Sequence, residues 1–86
     1  MVVNVDQERL VPILREAGEH LSREEGEVVL DFSPVNRVDS GALKAMEELA
    51  NRADEKAVKV ALRGVNVDVY KVLKLVKLTR RFSFLH

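Results

Sequence analysis

The stretch that decides the fold is VVLDFSPVNRVDSGAL, residues 28–43. Three aliphatic residues lead to Asp31, and Pro34 follows closely, so this pattern predicts a buried strand over Val28–Phe32 that ends before the proline. Helical spacing begins directly after residues 38–41, VDSG. The strand therefore leads through a short turn to the start of a helix, where unpaired N–H groups and the helix dipole favour negative charge.

Strands and helices alternate on both sides of this stretch. The predicted elements are a strand at Val2–Val5, a helix with an apolar stripe at Leu10, Ile13, Leu14, Ala17 and Leu21, a helix over Gly41–Ala53, a strand over Val58–Leu62, a helix over Val67–Val76 and a short edge strand through Phe82 and Phe84. Such alternation implies right-handed crossovers. We therefore predict an α/β fold with a small open, mostly parallel sheet and helices packed against it.

Polar residues are placed to begin each of the three helices. Asp6 is predicted to cap the first helix, Ser40 the second and Asn66 the third. Pro12 leaves two alternatives for the first helix. Either the helix begins next to the proline, or it begins at Gln7 and bends there.

The helical spacing divides the second and third helices into buried and exposed faces. The solvated face of the second helix carries Lys44, Glu47, Glu48 and Asn51. The inward face of the third helix carries Val69, Val72, Leu73 and Val76. Leu75 lies opposite, beside Lys71 and Lys74. The basic residues near the end of the chain are interpreted as a solvated rim, formed by Lys74, Lys77, Arg80 and Arg81.

Length and charge exclude several classes of protein. The 86 residues are enough for one domain, spanning residues 1–86, with a single core. Fourteen basic residues balance fourteen acidic ones, so net charge offers no reason to propose a nucleic acid or an anionic membrane as partner. No segment approaches the length of a membrane span, so no membrane insertion is expected. The first residues lack the pattern of a signal peptide, and a cytoplasmic location is expected.

The chain offers little to a cofactor, a metal or a covalent mechanism. It has no cysteine, which removes disulfides, thiol catalysis and thiolate metal sites. The two histidines, His20 and His86, are far apart in the sequence and form no recognisable ligand set. Asp31 and Asp39 have no basic or nucleophilic companion nearby, so acid–base catalysis is not expected. We predict no enzyme activity, no cofactor and no metal.

Three stretches of the chain resemble the STAS domain, the module found in bacterial anti-sigma factor antagonists. They are VVLDFSPVNRVDSGAL (residues 28–43), VKVALRGVNVDVYKVLKL (residues 58–75) and LTRRF (residues 78–82). The resemblance implies a small open sheet with helices on one side and a function in binding other proteins. Family members usually begin with two strands, whereas only Val2–Val5 is available here. This shortened N-terminal hairpin predicts an uncovered sheet edge through which the chain forms a homodimer.

The resemblance also points to the beginning of the second helix as the site. In family members that are switched by phosphorylation, an aspartate is followed by two serines, and the second accepts the phosphate. Asp39 and Ser40 match the aspartate and the first serine, but Gly41 stands at the phosphoacceptor position and Ala42 replaces the usual glycine. Gly41 thus departs from the phosphorylation pattern. Ser40 is predicted to cap the helix, and its alternative role is that of the candidate phosphoacceptor.

The predicted partner-binding surface comprises the loop before the second helix and the start of that helix. Its candidate residues are Ser33, Asn36, Asp39, Ser40, Gly41, Lys44, Glu47 and Glu48. Asp39 would accept hydrogen bonds or meet a basic residue, and Gly41 would allow a partner backbone to approach closely. Polar groups of this kind on a rigid scaffold are typical of binding sites.

Two biological settings follow from the resemblance. In the first, which the GVNVDVYKVLKL and LTRRF stretches favour, the chain is an anti-sigma factor antagonist that binds an anti-sigma factor kinase. In the second, which Gly41 and Ala42 favour, it is the STAS subunit of an ABC-type lipid transport system and docks on its ATPase. A small nucleotide-binding protein is a weaker third alternative, since Gly64-Val65-Asn66 lacks the glycine spacing and Lys-Ser/Thr of a P-loop.

Overall fold

The structure is a computed structural model that describes residues 1–85; His86 lies outside the described residues. Its elements are β1 (Val2–Asn4), α1 (Leu10–Glu19), a 3₁₀ turn (Arg23–Glu25), β2 (Glu27–Asp31), α2 (Ser40–Lys56), β3 (Lys59–Arg63), α3 (Val67–Leu75) and β4 (Ser83–Leu85). The four strands form one sheet in the order β1-β2-β3-β4, and every neighbouring pair is parallel. The predicted fold class is confirmed, including the short edge strand near the end of the chain.

The buried face of the sheet is built from the two central strands. Val28 and Leu30 of β2 lie in register with Val60 and Leu62 of β3, and all four side chains are buried. The residues between them point to the opposite face, because side chains alternate along a strand. One face of the sheet therefore carries the core that the helices cover.

The helices cover one face because of the strand order. When each strand lies beside its predecessor and every crossover is right-handed, all the connecting helices lie on the same side of the sheet. α1 and α2 pack against each other over this core through Leu14, Met46 and Leu49, which are at most 1% exposed. At Gly18 of α1, a Cβ would lie 3.2 Å from Cδ of Arg52 and 3.5 Å from Cδ1 of Leu49, so glycine permits this close approach.

α1 begins at Leu10, three residues later than it would if Asp6 were its N-cap. Its N-cap is Arg9, and Pro12 is the third residue of the helix, where no intrahelical hydrogen bond is lost. A helix beginning at Gln7 is therefore wrong, and the alternative with the proline in the first turn is confirmed. Asp6 accepts the N–H of Arg9 at 2.7 Å in the turn before the helix, so its predicted capping of α1 is also wrong.

α3 ends one residue earlier than predicted, which changes the surroundings of its last apolar residues. Val69 and Leu73 are buried as expected, but Val76 is 46% exposed because the chain leaves the helix at that residue. Leu75 points outward, as the spacing predicts, and is 81% exposed. Asn66 is the N-cap of α3, as predicted, and its Oδ1 accepts the N–H of Val69 at 2.8 Å.

β1 forms one edge of the sheet. It pairs with β2 alone, with Val2 opposite Val29 and Asn4 opposite Asp31. Its other side carries no strand among the described residues. A homodimer through this edge stays a prediction.

Replacing Ala57 with glycine should stabilise the fold. Ala57 ends α2 in the left-handed region at φ 56°, where the N–H of Val58 bonds the carbonyl of Ala53 at 2.9 Å. Glycine adopts this conformation without a Cβ penalty, so we expect Ala57→Gly to raise the free energy of unfolding by about 1 kcal/mol. Urea denaturation measures the change. Ala53→Gly, inside the same helix, should lower stability, and a less stable Ala57→Gly protein would contradict the argument.

Candidate functional site

The loop between β2 and α2 lies at the carboxyl edge of the sheet, and Gln7 holds one side of it. The Oε1 atom of Gln7 accepts the N–H groups of Asn36 and Arg37 at 2.7 and 3.0 Å, and its Nε2 donates to the carbonyl of Arg37 at 2.9 Å. One side chain from the β1–α1 connection therefore satisfies three backbone groups of the loop. Because exposed loops lack such bonds from secondary structure, this contact gives the loop a defined shape.

Asn66 holds the loop from its other side. While its Oδ1 caps α3, its Nδ2 donates to the carbonyls of Val35 and Asn36 at 3.1 and 3.4 Å. The same amide thus fixes the start of α3 and the middle of the β2–α2 loop. The sequence indicated the cap at Asn66 but not this second role.

The beginning of the loop is fixed by Asp31. Its Oδ1 accepts the N–H of Ser33 at 2.9 Å, and its Oδ2 pairs with Nη2 of Arg63 at 3.0 Å across the β2–β3 register. Hydrogen bonds from Ser33, and then from Arg63, lower the pKa of Asp31 from its ordinary 3.8 to about 2. Asp31 is therefore an ionised structural group at the end of β2, where the loop begins.

Gly64 lets Ser33 approach the β3–α3 turn. Gly64 has φ 72°, and a Cβ there would clash with Oγ of Ser33 and lie 3.1 Å from its backbone nitrogen. A side chain at residue 64 would thus be strained by its own backbone and would push the candidate site residue Ser33 away.

Asp39, and not Ser40, caps α2. The Oδ1 atom of Asp39 accepts the N–H of Ala42 at 2.8 Å, and its carbonyl accepts the first helical bond, from Leu43, at 2.9 Å. Ser40 is the first residue of the helix, so the predicted capping role of its hydroxyl is wrong. Aspartate at the cap adds a negative charge at the positive end of the helix, which explains why it takes this position. The exposed Ser40 hydroxyl makes no hydrogen bond among residues 1–85.

Gly41 occupies an open position in the first turn of α2. A Cβ there would lie 3.4 Å from Oδ1 of Asp39 and 4.0 Å from Cγ2 of Val11, which are ordinary contact distances. The backbone therefore does not require glycine at residue 41. What glycine provides is a surface without a side chain beside Ser40.

The structure divides the predicted helix residues between two grooves. Ser40, Lys44 and Glu47 lie on one face and border a cavity of about 240 Å³ between α2 and the chain that follows α3, which we call the α2–α3 groove. It is lined by Ser40, Leu43, Lys44, Glu47, Val76 and Leu78. Glu48 instead lines a second groove of about 220 Å³ between α1 and α2, beside Arg15 and Arg52. Ser33 and Asn36 lie in the loop braced by Gln7 and Asn66. The helix start, the loop and Glu48 are thus three separate parts of the predicted surface.

Sequence reasoning missed the residues that support this surface. Gln7 has no motif around it, Arg63 is recognisable only from its register opposite Asp31, and Val76 was assigned to the core. The parallel β2–β3 pairing was the available signal for Arg63, because it places the last residues of both strands opposite each other.

Neither a metal-ligand cluster nor a membrane-spanning helix is found in the part of the chain that the structure describes. Residues 1–85 contain no cluster of three or more histidine and acidic side chains that could hold an ion. In the same residues, no helix combines the length and apolar character needed to cross a bilayer.

A four-stranded parallel sheet that displays a braced polar loop and the start of one helix defines a small α/β domain. The chain belongs to the STAS family: the STAS domain model matches residues 7–85. It is 35% identical over 74 residues to the intermembrane phospholipid transport system binding protein MlaB of Escherichia coli K12, covering 86% of this chain and 73% of that protein. MlaB of Shigella flexneri matches to the same extent.

Solved structures confirm the fold. A putative anti-sigma factor antagonist from Thermotoga maritima, TM1081, superposes with a TM-score of 0.72 at 21% identity, over 95% of this chain and 69% of that one. The NMR structure of TM1081 gives a TM-score of 0.76 at 19% identity, over 98% and 71%. At this identity the similarity establishes the architecture, and the STAS resemblance predicted from the sequence is correct.

The capping assignment predicts different effects for two neighbouring substitutions. Asp39→Ala removes the hydrogen bond to Ala42, so it should lower the free energy of unfolding by about 1 kcal/mol. Ser40→Ala removes an exposed hydroxyl and should change it by less than about 0.5 kcal/mol. Urea denaturation of both variants tests this, and a larger effect from Ser40→Ala would show that the hydroxyl caps the helix after all.

The low pKa of Asp31 predicts a loss of stability in acid. Because the folded-state pKa of about 2 lies below the ordinary 3.8, the carboxylate contributes stability above about pH 4 that disappears as the pH falls towards 2. Asp31→Asn should therefore be less stable than the wild-type protein at neutral pH, with the difference shrinking below pH 4. Denaturation curves across this range measure it, and a constant difference would contradict the assignment.

Proposed function

We propose that this chain is a non-catalytic binding module that docks on the ATPase of an ABC-type phospholipid transport system. The observation that carries the proposal is the 35% identity to MlaB, whose name places it in an intermembrane phospholipid transport system. The glycine at residue 41 agrees with it, because a constitutive subunit needs no phosphoacceptor there. Since ATP is hydrolysed in the cytoplasm, this function places the chain there.

The proposed docking surface combines the braced loop with the first turns of α2. Gln7 and Asn66 hold the loop in one shape before a partner arrives, which reduces the ordering that binding requires. Asp39 is engaged as a cap, so it contributes shape and charge, whereas Ser40 and Gly41 are open to contact. Ser33 and Asn36 extend the same surface across the loop.

The α2–α3 groove provides the apolar part of this surface. Leu43, Val76 and Leu78 line it, while Lys44 and Glu47 border it with opposite charges. An apolar side chain of the ATPase would fill the groove, and the two charges would select its orientation. The approach would be close at Gly41, where no side chain intervenes. Glu48 would lie at the rim on the α1 side.

A second candidate function is supported by Ser40. In the anti-sigma factor antagonist setting, a kinase would phosphorylate a hydroxyl at the start of α2, and the Ser40 hydroxyl is exposed and is not used as the cap. Phosphate there would be stabilised by the helix dipole but opposed by the charge of Asp39. The absence of a hydroxyl at residue 41 makes this the weaker of the two proposals.

The partner can be identified by affinity purification from cells of the source organism, followed by mass spectrometry. We expect an ABC ATPase, together with its permease, among the proteins retained specifically. A small serine kinase instead of an ATPase, with one phosphate gained on Ser40 after incubation with ATP, would replace this proposal with the partner-switching one.

Two arginine substitutions locate the interface once the ATPase is purified. Gly41→Arg adds a long side chain to the docking surface at a position with room for a Cβ, and it should weaken binding by at least about tenfold without unfolding the domain. Ala57→Arg adds the same side chain at the exposed far end of α2 and should bind like the wild-type chain. Calorimetric titration measures both. Equal affinities for all three proteins would place the interface elsewhere.

A further inference from the structure

The basic residues of this chain are concentrated at one end of the sequence. Although fourteen basic and fourteen acidic residues balance overall, no acidic residue follows Asp68. The remaining stretch contains five basic residues: Lys71, Lys74, Lys77, Arg80 and Arg81. The chain thus has a net charge of zero and yet contains a strongly basic segment. Its net charge alone does not predict which partners this segment attracts.

Most of this positive charge is not neutralised within the fold. Arg81 pairs with Oδ2 of Asp54 and with Oδ1 of Asn51, both at 2.8 Å. Among residues 1–85, the ion pairs involve none of the other four basic residues of the segment. Asp68, one turn before Lys71, is the nearest acidic residue along α3.

An exposed leucine lies within this basic surface. Leu75 is 81% exposed, and its spacing from Lys71 and Lys74 places the three on one face of α3. Lys77 lies two residues beyond the last residue of α3 and is also exposed. We call Lys71, Lys74, Leu75 and Lys77 the α3 basic end. Leu75 lines neither of the grooves described above, so its side chain is open to solvent.

Lys77 has an unfavourable backbone conformation for a residue with a side chain. Its φ is 63°, and the N–H groups of Lys77 and Leu78 bond the carbonyls of Lys74 and Leu73 at 3.1 and 2.9 Å. This hydrogen-bond pattern ends a helix with a left-handed residue that is usually glycine. Lysine lowers stability here relative to glycine, as Ala57 does at the end of α2, so the backbone does not require a side chain at residue 77.

We propose that the α3 basic end adsorbs to the surface of an anionic lipid bilayer, with Leu75 entering the interface and the lysines contacting lipid headgroups. Lysine is depleted in protein–protein interfaces, whereas clustered basic side chains are attracted to anionic lipid headgroups. Lysine stems can lie along the interface while their charges reach the headgroups. A bilayer surface can receive Leu75 and the lysines without a pocket shaped to fit them.

This contact is peripheral and does not insert a helix into the membrane. Its ligand differs from that of the proposed docking on an ATPase, which uses the start of α2 and the adjoining groove lined by Val76 and Leu78. The two proposals can fail independently, because purified protein and protein-free vesicles suffice to test the lipid contact.

Co-sedimentation with vesicles tests the proposal. We expect binding to phosphatidylcholine vesicles that contain about 30% phosphatidylglycerol at low salt, and at least about fivefold weaker binding to phosphatidylcholine alone. Raising the salt to about 0.5 M should abolish most of the binding, because the interaction is screened. No binding to the anionic vesicles, or equal binding to both compositions, would overturn the proposal, and the first outcome would leave an acidic protein surface as the ligand.

Matched variants separate a defined surface from a general effect of charge. Lys71→Glu combined with Lys74→Glu, and separately Leu75→Ser, should each weaken binding at least about fivefold. Arg15→Glu combined with Arg23→Glu changes the net charge equally, on exposed residues of α1 and the 3₁₀ turn, and should bind like the wild-type protein. Equal losses in both charge-reversed proteins, or an unaffected Leu75→Ser, would refute a specific site.

Lys77→Gly gives a readout that a purely structural role would not produce. Because glycine fits the left-handed conformation, this variant should unfold at a higher temperature while binding anionic vesicles about two- to fivefold more weakly. A more stable protein with unchanged vesicle binding would show that Lys77 takes no part in the contact.

Discussion

The parallel pairing of β2 with β3 is the constraint on which the rest of the structure depends. Five residues of each strand lie in register and place Asp31 opposite Arg63 at the carboxyl edge. Their ion pair joins the carboxyl ends of the two strands, where the β2–α2 and β3–α3 connections begin. Since these connections begin side by side, Ser33 can lie against Gly64 and Asn66 can reach the β2–α2 loop. The shape of the candidate site therefore follows from strand register.

Two amide side chains, those of Gln7 and Asn66, hold the β2–α2 loop in one position against its neighbouring connections. Gln7 and Asn66 come from connections on either side of the β2–α2 loop, and together they bond the backbone from Val35 to Arg37. Each bond on the exposed surface contributes little by itself, since water competes for the same groups. Their combined effect is to define one loop conformation, which favours a role in recognition and leaves the chemistry of any switch to the start of α2.

Charge distribution carries more functional information here than total charge. Balanced numbers of acids and bases count against an anionic partner only when the two kinds of charge are evenly mixed over the surface. The fold brings Arg81 to Asp54 of α2, yet Lys71, Lys74 and Lys77 remain exposed around Leu75. Screening confines their influence to about 10 Å at moderate salt, so a local cluster acts almost independently of the balance elsewhere.

The sequence by itself determined the fold class, the order of the elements and the STAS family. Strand and helix periodicity are local properties, and Pro34 and Asn66 marked element boundaries through their own backbone chemistry. The predicted cap of α2 at Ser40 is wrong by one residue and Asp39 takes the position, because both residue types are good caps and local pattern leaves a helix boundary uncertain by a residue.

Only the tertiary structure decided which residues support the site and which surfaces remain open. Gln7 bonds residues about thirty positions away, Glu48 lies in a different groove from Glu47, and Val76 leaves the core because α3 ends before it. These outcomes depend on contacts between elements that are distant in the chain. Local periodicity predicts which face of a helix or strand is apolar. The packing of neighbouring elements determines which residues that face contacts.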